Sequence, residues 1–235
     1  MRQDGEGEQP LYLIVSVRRD KQRKGRYLLY TAGREEPLLS VHEDILVQYK
    51  LLKGVEVTQA ELEDIIRTDS RQTAYAMAIA YLGVKPRTRK EIERYLKRKE
   101  LDAELIEQVA DRLEQERIID DREYARMYAS QRLRNHAKGR LAIRQELQQR
   151  GVSKQAAEQA TSELDEETEL AAALRAAERK WPYIKGEYRD RKRKLTMFLM
   201  RKGYPSDVVR LALKTAAVEA DESELCDEDG VTLDN

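Results

Sequence analysis

This chain of 235 residues has little of what most sites of chemistry require: one cysteine, two histidines and one residue each of Phe and Trp. A lone thiol, Cys226, closes no internal disulfide and builds no thiolate metal cage, so no secretory cross-linked framework is expected. His42 and His136 lie far apart, and neither stands at a metal-ligand spacing. No GxxxxGK[ST] loop and no GxGxxG after a strand occurs, so phosphate cradling by glycine-rich backbone is not indicated. Asp120-Asp121 is a carboxylate pair, but Asp120-x-x-Glu123 reads first as a helix cap. No catalytic constellation, cofactor site or metal site is therefore expected. The most apolar short run, Leu11 to Val17, falls well below the roughly 18 residues that suggest a membrane span, and it includes Ser16. The expectation is a soluble cytoplasmic protein without enzymatic activity.

What is present is charge. Asp, Glu, Lys and Arg make up 37% of the chain, with 44 residues of each sign, so the net charge is zero and only its distribution is informative. Rich in Ala, Leu, Glu, Lys and Arg, the composition suits long helices with narrow apolar stripes.

Residues 1–10 read as a flexible start and 11–69 as a small α+β unit. Leu11–Val17 and Arg26–Thr31 have the β-branched and aromatic character of strands, and a third apolar patch follows Pro37. Ser40-x-x-Glu43 and Thr58-x-x-Glu61 both read as capping boxes opening helices.

From about residue 70 the sequence repeats. Leu82, Leu133 and Trp181 align; Ala78, Ala129 and Ala177 stand four residues earlier, and Ala74, Ala125 and Ala173 eight earlier. Small residues at i, i+4 and i+8 share one helix face and admit a close neighbour. A second helix aligns Ile92, Ile143 and Leu195 with Leu96, Leu147 and Leu199; Glu100, Gly151 and Gly203 follow, the glycines suited to a left-handed helix end. A third helix aligns Leu105, Ala156 and Val208. Matches in three helices at the same offsets outweigh chance alignment of Ala/Leu-rich sequence. The predicted fold is mainly α: three tandem three-helix repeats (70–120, 121–166 and 167–217) in an elongated array, preceded by the α+β unit with its short antiparallel sheet. An acidic flexible tail, 218–235, follows. The third repeat carries four extra residues around Pro182–Glu187 between its first two helices.

Charge partitions within each repeat. Val84–Leu101 holds eight basic residues against three acidic, Arg126–Arg150 seven against one, and Lys185–Lys202 eight against two; Asp102–Asp121 reverses this with two against eight. Solvated faces, or pairing with a neighbouring acidic helix, would account for part of this. Yet positive charge at a helix N-terminus opposes the macrodipole. The clusters that open the second helices therefore read as a recurrent stripe for a polyanion or an acidic protein groove. Its residues are Lys85, Arg87, Arg89, Lys90 and Arg94; then Lys138, Arg140 and Arg144; then Arg191, Arg193 and Lys194, flanked by Arg189 and Lys192.

Ile118-Ile-Asp-Asp-Arg-Glu-Tyr-Ala125, followed by Gly139-Arg-Leu, Glu146-Leu and Gly151-Val, resembles the RecX family; Val41–Val47 with Leu52-Lys-Gly54 is similar to the N-terminal extension of its longer Gram-positive members. The resemblance covers Leu11 to Ala217. It implies a monomeric bacterial regulator of the RecA recombinase, made of tandem three-helix repeats, that lies in the groove of the RecA–DNA filament. There it inhibits ATP hydrolysis and strand exchange, and it favours disassembly. DNA, bound weakly by the protein alone, is the second implied partner. A direct DNA-binding protein and a helical-repeat adaptor are the alternative readings. Glu100, where both counterparts are Gly, and the tail depart from the pattern.

Overall fold

The structure, a computed structural model, describes residues 11–215. The expectations for the N-terminal ten residues, the acidic tail and Cys226 concern residues outside that range. The described residues form two compact units: one comprises those up to Lys85 together with Glu93–Leu113, the other Pro86–Ile92 together with those from Glu114 onward.

The first unit begins with an antiparallel sheet of four strands, β1 (Leu11–Arg19), β2 (Arg26–Thr31), β3 (Leu39–His42) and β4 (Glu56–Thr58), in the order β3-β2-β1-β4. The three longer strands follow the sequence reading, whereas β4 has no counterpart in it. Three residues are too few to show alternation, and only pairing with Leu11–Leu13 makes them a strand. A short helix, α1 (Glu43–Gln48), and the long α2 (Gln59–Leu82) cover the sheet. Ile14, Leu29, Val41, Ile45, Leu51, Val57, Leu62 and Ile65 form its core.

One capping assignment is corrected. Ser40 lies within β3, where its hydroxyl accepts a hydrogen bond from Arg26 Nε at 3.1 Å; the cap of α1 is His42, whose Nδ1 accepts from the Asp44 N–H. Pairing with β2 holds Ser40 extended, so it cannot begin a helix. The second box is as expected: Thr58 Oγ1 accepts from the Glu61 N–H, and the Glu61 carboxylate accepts from the Thr58 N–H. The buried Asp69 of α2 accepts from Arg26 Nη2 at 2.6 Å and from the His42 N–H at 2.7 Å, tying helix to sheet. Tyr81 stacks on Tyr95 at 4.1 Å, and Arg112 of α4 (Ala103–Gln115) lies over Tyr75 at 3.9 Å, so these tyrosines pack between helices. Helix α3 (Arg89–Lys97) supplies residues to both units.

The second unit contains α5 (Asp121–His136), α6 (Arg140–Arg150), α7 (Lys154–Ser162), α8 (Glu166–Lys180), α9 (Tyr188–Arg201) and α10, described over residues 206–215. Its apolar residues form one continuous core. The predicted small-residue face is completely buried: Ala125, Ala129, Ala173 and Ala177 have no solvent exposure, and neither do Ile143, Leu147, Leu195 and Leu199. The added residues of the third repeat form a 3-10 turn, Trp181–Tyr183, that delivers Ile184 into the core. Trp181 packs edge-on to Tyr188, as the position of Leu133 in the preceding repeat implies.

Candidate functional site

The equivalences between repeats extend to how consecutive repeats are joined. In the second unit, the residues opening one second helix sit on the end of the next repeat's second helix. Thr88 Oγ1 donates to the Arg150 carbonyl at 2.7 Å, and Arg150 Nη1 donates to Glu91 at 2.6 Å. One repeat later, the Gly139 N–H donates to the Lys202 carbonyl at 2.9 Å and the Leu141 N–H to the Gly203 carbonyl at 3.0 Å. Gly139 and Gly203 touch backbone to backbone: a Cβ on either would fall inside 3.0 Å of the other side of the joint, and a Cβ on Gly151 would strike Lys90.

An acidic residue seals each joint. Asp121 Oδ1 accepts the Arg89 N–H at 2.9 Å, and Glu169 Oε1 accepts the Arg140 N–H at 2.8 Å. Asp121 and Glu169 occupy one repeat position, as do Arg89 and Arg140. Both acids come from the following repeat and satisfy an orphan amide at a helix N-terminus, where negative charge is also favoured. Burial pushes the Asp121 carboxyl up, and Glu114 and Asp120 add to that, while the Arg89 N–H and charge pull it down; the net direction is up.

This joint divides the predicted basic stripe. Arg140 Nε meets the fully buried Glu169 carboxylate at 2.5 Å, and Arg89 Nη1 meets Glu114 at 2.5 Å. Lys138 and Arg132 share Glu146, which also accepts from Tyr128 at 2.6 Å. Arg144 Nε donates to Thr161 at 3.3 Å and its Nη1 lies 3.9 Å from Glu158. For Arg89, Arg140 and Arg144, pairing with a carboxylate of a neighbouring helix supplies a structural role, whereas Lys138 pairs with Glu146 of the basic helix α6 that it precedes. Arg87 is half-buried, whereas Lys85, Lys90 and Arg94 are exposed.

The third repeat differs. Arg191 lies 4.1 Å over the Trp181 ring, Lys194 donates to the Lys185 carbonyl at 2.8 Å, and Arg193 pairs with the exposed Asp190 of its own helix at 3.5 Å. Arg189, Lys192, Arg193 and Lys194 are all exposed on the first turns of α9. The structure thus brings Arg89 and Arg140 into equivalent joints. It leaves the α9 cluster with few carboxylate partners among the described residues.

A second basic feature has no counterpart in the sequence reading. A cavity of about 500 Å³ lies where the last turns of α5 and α8 meet α9, and Arg134, Arg175, Arg179, Lys180 and Lys202 supply its charged lining, beside His136. The hydrophobic pattern gives no sign of it, because its residues come from three helices and converge only when two repeats pack. Among the described residues no group of three or more His, Cys, Asp or Glu could hold a metal, and no helix is long and apolar enough to cross a membrane.

Comparison with known proteins gives this geometry a family. Models of the first, second and third three-helix domains of RecX match residues 74–113, 120–160 and 167–213. The chain is 32% identical over 214 residues to the regulatory protein RecX of Bacillus cytotoxicus, covering 90% of this chain and 79% of that one. It is 33% identical over 214 residues to that of Enterococcus faecalis, with the same coverage. A crystal structure of regulatory protein RecX superposes with a TM-score of 0.71 at 29% identity, covering 86% of this chain and 98% of the other. A RecX structure from Lactobacillus salivarius, at 24% identity and TM-score 0.60 over 64% of this chain and 99% of the other, shares the fold. The sheet-bearing N-terminal unit, the three helical repeats with their recurrent joint, and these matches together make the chain a member of the RecX family of regulatory proteins.

Proposed function

We propose that this chain acts as a monomer in the bacterial cytoplasm, binding the groove of a RecA–DNA filament. Bound there, it slows DNA-dependent ATP hydrolysis and strand exchange and shifts the filament toward disassembly. It does this by binding, without catalysis of its own. The observation that carries the reading is the cluster on the first turns of α9: Arg189, Lys192, Arg193 and Lys194 stand exposed at a helix N-terminus, where positive charge opposes the macrodipole. Of the stripe, Arg193 and Lys194 with Lys85, Lys90 and Arg94 are the contact residues; Arg87, Lys138, Arg144 and Arg191 support them from half-buried positions. Arg89 and Arg140 serve the joints first. Several weak contacts on one chain reinforce each other once the first is made, which suits a partner that repeats.

The test titrates the protein into a cognate RecA hydrolysing ATP on single-stranded DNA, beside a gel shift on the same DNA. Inhibition well below the concentration that shifts naked DNA is the expected result. Reversing Lys85, Arg193 and Lys194 together should abolish inhibition with the circular-dichroism spectrum unchanged. Inhibition that persists in this variant rejects the stripe as the contact, and inhibition that begins only where naked DNA shifts rejects filament binding.

A further inference from the structure

The cavity between α5, α8 and α9 is a concentration of positive charge that the joints do not use. Five permanent cations line it, Arg134, Arg175, Arg179, Lys180 and Lys202, and no carboxylate is among the lining residues. Arg134, Arg175 and Arg179 are exposed and make no ion pair with any described residue, in contrast to the arginines of the joints. The two lysines are held in place without being neutralised: Lys180 and Lys202 Nζ lie 5.8 and 5.6 Å from the centroid of the Phe198 ring. An aromatic face positions an ammonium while leaving its charge available to a further ligand.

Helix dipoles account for part of this charge. α5 and α8 end at the cavity, and Lys202 is the C-cap of α9, so three helix C-termini face it. Each is equivalent to roughly half a negative charge, about 1.5 in all, which leaves an excess of about 3.5 positive charges. An excess of that size raises the self-repulsion of the unit. It fits an anion with several charges. The cavity volume of about 500 Å³ accommodates more than the single carboxylate an acidic side chain would present. Planar guanidinium forks arranged around it match the paired oxygens of phosphate.

We infer that this cavity is a phosphate-binding site for a nucleic-acid strand, with Arg134, Arg175 and Arg179 contacting successive backbone phosphates and Lys180 and Lys202 completing the field. The site lies at the seam of the second and third repeats, on residues separate from the stripe. Because its test needs DNA alone, it stands or falls apart from filament inhibition.

The experiment measures binding of the full chain to a labelled oligothymidylate of about 20 nucleotides by fluorescence anisotropy, across salt from about 50 to 200 mM. The variant R134Q/R175Q/R179Q removes three charges at exposed positions, and a matched variant, K21Q/R23Q/K24Q, removes three from the exposed connection between β1 and β2. Thermal unfolding of each verifies the fold. The cavity variant should bind at least about tenfold more weakly, and the slope of log K against log salt should shrink by about 2, near 0.7 for each phosphate no longer neutralised. The β1–β2 variant should change both much less. Unchanged affinity and slope in the cavity variant overturn the inference, and so does an equal loss in both variants. Retained DNA binding with loss of RecA inhibition would also overturn it, by assigning the cavity to an acidic protein surface.

Discussion

Glu169 turns its fully buried carboxylate onto two atoms of Arg140 at once, the backbone N–H at 2.8 Å and the guanidinium Nε at 2.5 Å. One bond caps α6, and the other neutralises a partly buried arginine. Both link the first helix of the third repeat to the second helix of the second.

Removing that acid should therefore unfold more than a surface pair would. Glu169→Ala leaves an unpaired guanidinium and an orphan amide inside the joint, and a loss of about 3–5 kcal/mol is expected. Urea unfolding reads it as a lower midpoint. Arg140→Ala should also lower the midpoint. A midpoint within error of the parent in both variants would contradict the structural role given to this pair.

Asp121 occupies the same repeat position in the preceding joint. Its carboxyl is pushed up, chiefly by burial, so the folded state holds a proton more readily than the unfolded one. Its contribution to stability is present in acid and is lost as pH rises through the folded pKa. Asp121→Asn keeps an acceptor for the Arg89 N–H and removes the buried charge. At neutral pH this variant should stay within about 1 kcal/mol of the parent or exceed it, far from the cost at Glu169. A loss as large as that of Glu169→Ala would show that the charge itself holds the first joint.

The residue after each second helix has a left-handed backbone, φ 62° at Glu100, 99° at Gly151 and 87° at Gly203. Gly151 and Gly203 are also packed against a preceding repeat, while Glu100 is exposed. Ala at position 203 must both adopt φ above zero and displace the Ala142 backbone, so a cost above about 2 kcal/mol is expected. Glu100→Gly relieves only the backbone and should stabilise by about 0.5–1 kcal/mol. Midpoint shifts of the same sign for the two changes would refute this account.

Glu146 gathers Lys138, Arg132 and Tyr128. Burial pushes its carboxyl up, but the hydrogen bonds of Lys138 and Tyr128 and the charges of Lys138 and Arg132 outweigh it, so its pKa lies below the ordinary 4.5. A carboxylate shifted down contributes stability above its unfolded pKa and loses it as pH falls through the folded one. Glu146→Gln should cost about 1 kcal/mol at neutral pH, modest because Lys138 is partly exposed and solvent screens the pair. The gap should close in acid, below the folded pKa. A gap independent of pH would mean that packing, not charge, is responsible.

Some of the site is legible in the chain and some is not. The Ala and Leu positions of each repeat, the caps at Thr58 and Asp120, and the left-handed turns at Gly151 and Gly203 each follow from local periodicity or local backbone geometry. The stripe is visible as charge, but its division is not: Arg140 and Lys194 look equally basic in sequence, and only one has a buried carboxylate opposite. The repeat register does hold one further signal, since Asp121 and Glu169 align when Leu133 is set against Trp181. Ser40 misleads because its spacing to Glu43 imitates a cap, while strand pairing with β2 sets its backbone.

The sequence by itself determined the number of repeats, the face each helix buries and the family. These depend on periodicity, and helical periodicity is a property of residues at most a few positions apart. The tertiary structure decided which cations hold repeats together and which stand exposed without a buried carboxylate opposite them. Charges act on one another by distance in space: Arg140 meets Glu169 across 29 residues, and Arg134, Arg175 and Lys202 come together only in the lining of a shared cavity.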